Sequence, residues 1–527
     1  MSNTDTFLQA IKDGYNFKGE SIHLGMGMLD GHVVPDAGVL LPLRTMNRHG
    51  LIAGATGTGK TKTLQMISES LSDASIPVLL VDIKGDLSGL AAAGTSNDKI
   101  AERYKLMNAE YKPAAYPVEF LSLSKEKGVH LRATVSEFGP VLLSRILGLN
   151  DTQESVVALI FKFCDDNKLP LLDLKDFIKV LQYVSNEGKG EIEKAYGKIA
   201  TTSTGTILRK VIELQQQGAD PFFGEKSFEV DDLMHISDDG RGMINILRVT
   251  DLQDRPKLFS TFMLQMLAEL YATCPEEGDP DKPKLVLFID EAHLVFQEAG
   301  DALLQQILTI IKLIRSKGIG VFFCTQNPTD VPAGVLSQLG LKVQHALRAF
   351  TAADRKSIKQ AAENYPESSF YKTEDMITQL GIGEAFVTLL NEKGIPTPLV
   401  HCMLYSPRSR MDILQPAEIE AITGKSKLVA KYSETIDSES AYEILTAKLE
   451  EAANKGGGDT GGGAGGGAGG NGAGPKPARE EKSTLEKILD SSAVRQVGRT
   501  AASVITRSLL GALGLGGRTT RKKNSLF

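Results

Sequence analysis

Residues 50–71 read GLIAGATGTGKTKTLQMISESL, so that a short apolar strand, a glycine-rich loop and an amphipathic helix follow one another. The loop places Gly54, Gly59, Lys60 and Thr61 in the spacing GxxxxGK(S/T), which is typical of a phosphate-binding loop. Glycine lets the backbone N–H groups of such a loop surround a phosphate without a Cβ clash, and the helix N-terminus adds a partial positive charge. The stretch therefore predicts a nucleotide site in an α/β fold.

Two side chains of this loop have expected roles in binding a nucleotide. We expect Lys60 to reach the β- and γ-phosphates and the Thr61 hydroxyl to bind Mg²⁺. The alternative is a glycine-rich turn that carries a surface lysine. The expected nucleotide contacts are Gly54, Ala55, Thr56, Gly57, Thr58, Gly59, Lys60, Thr61 and Lys62.

A second apolar strand ends in two acids. Residues 284–293 read KLVLFIDEAH, in which five apolar residues precede Asp290 and Glu291. Ligands of open α/β sheets bind at the carboxyl ends of the strands, so both acids are placed to face the nucleotide. We expect Asp290 to hold Mg²⁺ through water and Glu291 to polarise an attacking water. The alternative for Glu291 is a solvated acid at a strand end.

Two more strands end in polar residues. The strand at 320–325 precedes Gln326, which can contact a γ-phosphate or, alternatively, begin a turn ahead of a proline. The strand at 78–82 ends in Asp82, which lies beside the phosphate site if the two strands are neighbours. Metal orientation and loop capping both remain open for Asp82.

Two arginines compete for the role of an arginine finger that a neighbouring subunit would supply. Arg315 ends a predicted helix just before the strand at 320–325, and Arg348 follows that strand in the segment QHALRAF. A finger stabilises charge on the departing phosphate. The alternative for each arginine is an ordinary surface or helix-end charge.

These motifs, in this order, resemble the HerA–FtsK superfamily of hexameric, DNA-pumping P-loop ATPases, and in particular its bacterial HerA-like family. The similarity covers about residues 48–411. The segments that carry it are GATGTGKT (54–61), VDIKGDLSGL (81–90), LFIDEAHLVF (287–296), IRSKGIGVFFCTQNPTDVP (314–332) and LGIGEAFV (380–387).

The resemblance implies a RecA-like core, ATP and Mg²⁺ as cofactors, and a homo-hexameric ring. In relatives an arginine shortly before the TQ-P strand acts across the subunit interface, which favours Arg315 over Arg348, and the TQ glutamine is a sensor, which supports Gln326. Two departures from relatives are expected: the small N-terminal β-barrel of archaeal HerA proteins is expected to be truncated or missing, since about 47 residues precede the phosphate-loop strand, and the membrane helices and winged helix of FtsK-like proteins are not expected in this sequence.

The spacing of the motifs predicts the domain organisation, because Lys60 and Asp290 are 230 residues apart, which exceeds what one or two βα units need. Helical periodicity between the motifs indicates an all-α insertion. The predicted segments are a short N-terminal β segment (1–47), the first part of the RecA-like core (48–135), the helical insertion (136–240), the second part of the core (241–411), a C-terminal helical segment (412–455), a Gly-rich linker (456–475) and a basic amphipathic tail (476–527).

Charge is distributed unevenly along the 527 residues. Residues 476–527 hold eleven Lys or Arg and four Asp or Glu, which gives them a charge of about +7. Because the net charge of the whole chain is −6, the remaining residues carry a charge of about −13. The Gly-rich linker gives the tail a reach of about 25 Å. The tail suits three partners: nucleic acid, an anionic membrane surface, or a protein surface, including the acidic body of this chain.

Composition excludes several classes of protein. The four cysteines lie far apart without a CxxC motif, which argues against a disulfide framework or a zinc site. The N-terminus has no signal-peptide pattern, and no run of 18 apolar residues occurs. We therefore expect a reduced, cytoplasmic protein.

The leading functional prediction is an ATP-hydrolysing ring motor that translocates on double-stranded DNA or acts as a helicase-like ATPase. One alternative is a protein-remodelling motor of the secretion or conjugation type. The other is a nucleotide-gated scaffold with little turnover.

Overall fold

The computed structural model describes residues 2–297, 301–432 and 438–456, and in these residues twelve strands form one sheet. The strands are β1 (Ser21–Leu29), β2 (His32–Pro42), β3 (Gly50–Ala53), β4 (Val78–Asp82), β5 (Val118–Ser122), β6 (Val129–His130), β7 (Ile244–Arg248), β8 (Leu285–Ile289), β9 (Ile319–Thr325), β10 (Leu341–Gln344), β11 (Glu384–Thr388) and β12 (Val400–Leu404). Their order in the sheet is β2-β1-β12-β11-β10-β3-β9-β8-β4-β7-β5-β6.

Eight neighbouring strands, from β10 through β3, β9, β8, β4, β7 and β5 to β6, run parallel. The other four strands, β11, β12, β1 and β2, extend the sheet by antiparallel pairing. The central strands β3, β9 and β8 are buried along their whole length, which explains their continuous apolar sequence. The predicted α/β class is confirmed, and the structure shows that its sheet is largely parallel.

Helices connect and cover these strands. The described helices are α1 (Asn3–Gly14), α2 (Lys60–Asp73), α3 (Asp98–Leu106), α4 (Val135–Leu147), α5 (Asp151–Asp166), α6 (Leu174–Ser185), α7 (Lys189–Tyr196), α8 (Thr201–Gln216), α9 (Pro256–Thr273), α10 (His293–Phe296), α11 (Asp301–Ile314), α12 (Ala333–Leu336), α13 (Ala352–Glu363), α14 (Thr373–Met376), α15 (Pro416–Thr423), α16 (Lys427–Tyr432) and α17 (Ala441–Gly456). Leu64 and Ile67 of α2 join the core formed by the sheet residues Ile52, Leu80 and Phe288.

The N-terminal segment, predicted as β structure over 1–47, begins with helix α1 ahead of β1 and β2. Ser2 caps this helix: its hydroxyl accepts the N–H of Asp5 and the Asp5 carboxylate accepts the N–H of Ser2. Phe7 and Ile11, four residues apart, bury its apolar face. This capping pattern and spacing were available in the sequence.

The chain forms two compact units. Among the described residues, the sheet unit comprises residues 2–131, 228–297 and 301–432, and the helical unit comprises residues 132–227 and 438–456. The predicted insertion covers 136–240, whereas residues 228–240 belong to the sheet unit and hold a 3-10 turn, Val230–Leu233. The predicted C-terminal helical segment, 412–455, is divided between the two units, because α15 and α16 fall in the first and α17 in the second.

Inside the helical unit, α17 packs against α6. The buried carboxylate of Asp176 accepts the N–H of Tyr442 at 2.9 Å and also contacts the Ser440 hydroxyl, which fixes the start of α17. Residues 457–527, which contain the basic tail and all but the first residue of the predicted linker, lie outside the described residues. In the described part of the chain, no helix combines the length and the apolar character needed to cross a bilayer.

Candidate nucleotide site

The phosphate-binding loop joins β3 to α2 near the middle of the twelve-stranded sheet. Gly54 has φ +153°, and a Cβ added there would lie 2.5 Å from the Cβ of His345. His345 follows β10, is fully buried, and places its Nε2 2.9 Å from the Thr63 hydroxyl. Burial and the nearby Lys60 lower the pKa of His345 to about 4, so the imidazole is neutral. The loop therefore leaves no room for a side chain at Gly54.

Lys60 is the first residue of α2 and is largely buried. Its ammonium donates to the carbonyl oxygen of Ala55 at 3.2 Å, which holds the side chain across the loop. Burial, and then repulsion by Lys84, lower the pKa of Lys60, while Glu291 and Asp290 raise it. The structure therefore brings this lysine and both predicted acids into one electrostatic site.

Asp290 and Glu291 directly follow β8. Asp290 is 4% exposed, and its Oδ2 has no hydrogen-bond partner among the described residues. Burial raises the pKa of Asp290 to about 6, although Lys84 opposes the shift. Glu291 is equally buried and has φ +46°, a conformation that is uncommon for residues other than glycine. Such outliers cluster at functional sites.

The residues around Thr61 fit a magnesium ion. The Thr61 hydroxyl lies 3.4 Å from Asp86 Oδ2, while Asp86 Oδ1 and Asp290 Oδ2 are buried without a hydrogen-bond partner. Mg²⁺ prefers oxygen ligands and retains several waters, so it does not require a cage of protein groups. Among the described residues, no group of three or more His, Cys, Asp or Glu could hold a metal ion.

Asp82 ends β4, but β4 pairs with β8 and β7 and is not a neighbour of β3. The condition that would put Asp82 beside the phosphate loop is therefore not met. Its carboxylate accepts the N–H groups of Gly85, Asp86 and Leu87 at 2.7, 3.3 and 3.2 Å. Burial and the neighbouring Asp86 raise the pKa of Asp82 to about 7. These contacts are those of a loop cap.

The loop that Asp82 caps brings Lys84 into the site. The Lys84 ammonium forms an ion pair with Glu291 Oε1, and Nδ1 of His293 lies 3.1 Å from Glu291 Oε2. Burial opposes the charge of Lys84, but Asp290 and Glu291 outweigh burial and raise its pKa.

Gln326 and Arg348 line one open cleft beside the phosphate loop. The cleft has a volume of about 990 Å³, and Ala55, Thr56 and His293 also line it. Both polar side chains are exposed, and Arg348 donates to the carbonyl oxygen of Thr378 at 2.8 Å.

Arg315 lies at the amino end of β9, whereas the phosphate loop follows the carboxyl end of the neighbouring parallel strand β3. This arginine precedes β9, whose seven residues are joined by six steps of about 3.3 Å and so span about 20 Å before the end that holds Gln326. Its guanidinium pairs with Asp279 at 2.9 Å. The structure therefore does not bring Arg315 to the site of its own chain.

Residues 29–521 match the family described as "Helicase HerA-like C-terminal". The chain belongs to this family. Two curated relatives of this HerA-like chain come from Sulfolobus acidocaldarius: the DNA import protein CedB is 24% identical over 68% of this chain and 52% of its own length, and the DNA double-strand break repair helicase HerA is 21% identical over 68% and 66%. The chain thus spans between half and two thirds of these relatives. The resemblance inferred from the motifs is confirmed.

Solved structures similar to this HerA-like chain include two proteins of low sequence identity. The bacterial conjugative coupling protein TrwB is 15% identical with a TM-score of 0.49, covering 78% of this chain and 94% of that one. VirB4 of Thermoanaerobacter pseudethanolicus is 16% identical with a TM-score of 0.47, covering 77% and 100%.

Sequence reasoning missed four residues at the site of this HerA-like protein. They are Lys84, Asp86, His293 and His345. Lys84 and Asp86 lie in the segment VDIKGD, where two charges directly after a buried strand were a usable signal. No comparable signal marked His345, because its contact with Gly54 depends on the pairing of β10 with β3.

Proposed function

We propose that this chain is a P-loop ATPase that hydrolyses ATP to ADP and phosphate with Mg²⁺. The observation that carries the proposal is the meeting of a buried Lys60 with two buried acids, Asp290 and Glu291, at the carboxyl ends of β3 and β8. A buried lysine at a glycine-rich loop is suited to phosphate oxygens. Buried carboxylate oxygens that lack a hydrogen-bond partner can bind a metal ion or a water molecule.

The proposed division of roles follows the contacts. Lys60 binds the β- and γ-phosphates, and the loop amides from Gly54 to Lys62 surround them. Thr61 and Asp290 hold Mg²⁺, which neutralises charge on the phosphates when bound. Asp82 shapes the adjoining loop, because both of its oxygens already accept backbone N–H groups.

The Glu291 carboxylate accepts a hydrogen bond from the attacking water, which makes the water oxygen a better nucleophile. Gln326 lies at the end of the strand between β3 and β8, where its amide can contact the γ-phosphate or the water.

We further propose that the chain works as a homo-hexameric ring with Arg315 as the finger acting on the neighbouring subunit. Arg315 lies about one strand length from the site of its own chain, so only a second subunit can use it there. Arg348 lines the cleft of its own chain, which supports a contact in the same subunit.

The proposed work of this ring, carried out in the cytoplasm, is translocation on double-stranded DNA. Family membership supports this, as do the names of the two relatives, a DNA import protein and a DNA repair helicase. The tail at 476–527 is proposed to contact DNA, a membrane surface or a partner protein. It lies outside the described residues.

The test is the steady-state ATPase rate with and without long duplex DNA, at low and physiological salt. We expect DNA to stimulate turnover, more strongly for longer duplexes, and Lys60→Ala to abolish turnover. Lys99→Ala, which removes an exposed lysine of α3, is the matched control and should behave as the unaltered chain.

Turnover that is robust but indifferent to DNA would reject translocation on DNA and favour the alternative, a motor that moves or remodels protein. Negligible turnover that Glu291→Gln leaves unchanged would favour a nucleotide-gated scaffold.

A further inference from the structure

The most unusual feature of the site is the contact between Lys84 and Glu291. The two residues follow neighbouring parallel strands, since Val81 of β4 pairs with Ile289 of β8. Their side chains meet as an ion pair in which Glu291 is 5% exposed and Lys84 is 36% exposed. The proposed hydrolytic mechanism assigns no role to Lys84.

This contact lies at the carboxylate that hydrolysis needs. Lys84 forms an ion pair with Glu291 Oε1, and Nδ1 of His293 lies 3.1 Å from Oε2. A general base needs a free oxygen within hydrogen-bond distance of the water that it polarises. While Lys84 is paired with Glu291, its ammonium competes with water for Oε1.

The segment that carries Lys84 lies against the phosphate loop, because the Thr61 hydroxyl is 3.4 Å from Oδ2 of Asp86, two residues after Lys84. Lys60, the lysine expected at the β- and γ-phosphates, belongs to that same loop, so two cations flank one region. Two like charges in one site repel, and an anion placed between them relieves the repulsion. The γ-phosphate is such an anion, and ADP lacks it. A lysine has a flexible four-carbon stem and a compact charge, which allows it to change partners.

We propose that Lys84 is a γ-phosphate sensor that exchanges partners, leaving Glu291 for the γ-phosphate when ATP binds. Glu291 is thereby released to polarise water only when a triphosphate is in the site. With ADP or without nucleotide, Lys84 returns to Glu291. The inference rests on the proposed ATPase function and adds a positioning residue to it.

A double-mutant cycle on binding tests the exchange without turnover. The dissociation constants of a non-hydrolysable ATP analogue and of ADP, each with Mg²⁺, are measured calorimetrically for the unaltered chain, Lys84→Met, Glu291→Gln and the double variant. Gaining or losing one hydrogen bond to a charged group changes affinity by roughly tenfold or more.

Glu291→Gln removes the competing anion, so we expect it to tighten binding of the ATP analogue by about tenfold and to leave ADP binding nearly unchanged. Lys84→Met should weaken binding of the analogue by about tenfold. In the Lys84→Met background, Glu291→Gln should no longer tighten it. Lys84→Arg keeps the positive charge, so in that background Glu291→Gln should still tighten binding of the analogue. If Lys84 had only a structural role, the effect of Glu291→Gln would not depend on a positive charge at this position.

An equal effect of Glu291→Gln with and without Lys84 overturns the sensor. If the unaltered chain nevertheless binds nucleotide and hydrolyses ATP, the proposed function stands and this inference alone fails. If the unaltered chain binds neither nucleotide, both fail. Because Lys84 is partly exposed, Lys84→Met should fold. If it does not, the comparison of Lys84→Arg with Lys84→Gln carries the same test.

Discussion

The fit between the phosphate loop and the residue after β10 makes Gly54→Ala a sharp test of the structure. The new Cβ would lie 2.5 Å from the Cβ of His345 and 3.1 Å from the Thr58 hydroxyl oxygen. His345 has little freedom to retreat, because its N–H donates to the carbonyl oxygen of Ala53 at 2.7 Å and its ring contacts Thr63.

Two costs add up at Gly54. The backbone conformation, with φ +153°, costs a residue other than glycine about 1–3 kcal/mol. Forcing an extra carbon into a packed site costs about 1–3 kcal/mol more. We therefore expect Gly54→Ala to lower the free energy of unfolding of the sheet unit by about 4 kcal/mol.

Gly57→Ala is the matched control in the same loop. Gly57 also has a positive φ, +78°, but no atom lies within 4 Å of an added Cβ. Only the backbone cost of about 1–2 kcal/mol applies there. Both variants are compared with the unaltered chain by urea unfolding, followed by circular dichroism because the chain has no tryptophan. Equal losses for the two alanines would refute the proposed contact between the loop and His345.

Two further predictions concern buried polar groups of the sheet unit. Glu69 of α2 is 1% exposed and accepts the N–H groups of Arg408 and Ser409, so Glu69→Ala leaves one half-buried and one buried donor without an acceptor and should cost about 2–6 kcal/mol in urea unfolding; a loss below 1 kcal/mol would contradict this role. His49 is fully buried with its Nε2 2.8 Å from the carbonyl oxygen of Ile311, and burial lowers its pKa to about 4. The unfolded chain binds this proton near pH 6.5, so stability should fall as the pH drops from about 6.5 to about 4, and His49→Asn should flatten that slope; parallel pH profiles for the two proteins would argue against it.

The core of the nucleotide site could be predicted from the sequence because its determinants are local. The phosphate loop is one continuous stretch of sequence. The acids Asp290 and Glu291 directly follow a strand whose apolar composition predicts that it is buried. Helices α5 and α6 could likewise be located, since capping residues and apolar spacing lie within each segment. Such features need no knowledge of which strands are neighbours.

The exact partners at the site could not be predicted in this way. Whether Asp82 lies beside the phosphate loop, and whether Arg315 can serve its own chain, depend on strand order and on the edge of the sheet at which each residue lies. The sequence could list these residues but could not measure the distances among them.

The sequence by itself determined the presence of a phosphate loop, the pair of acids and the α/β class, because each follows from short-range pattern and composition. Only the tertiary structure decided that Lys84 holds Glu291 and that His345 packs against Gly54. Both contacts join segments that are more than 200 residues apart in the sequence. They exist because β4 pairs in parallel with β8, and β10 with β3, so that the residues after the carboxyl ends of these strands lie side by side.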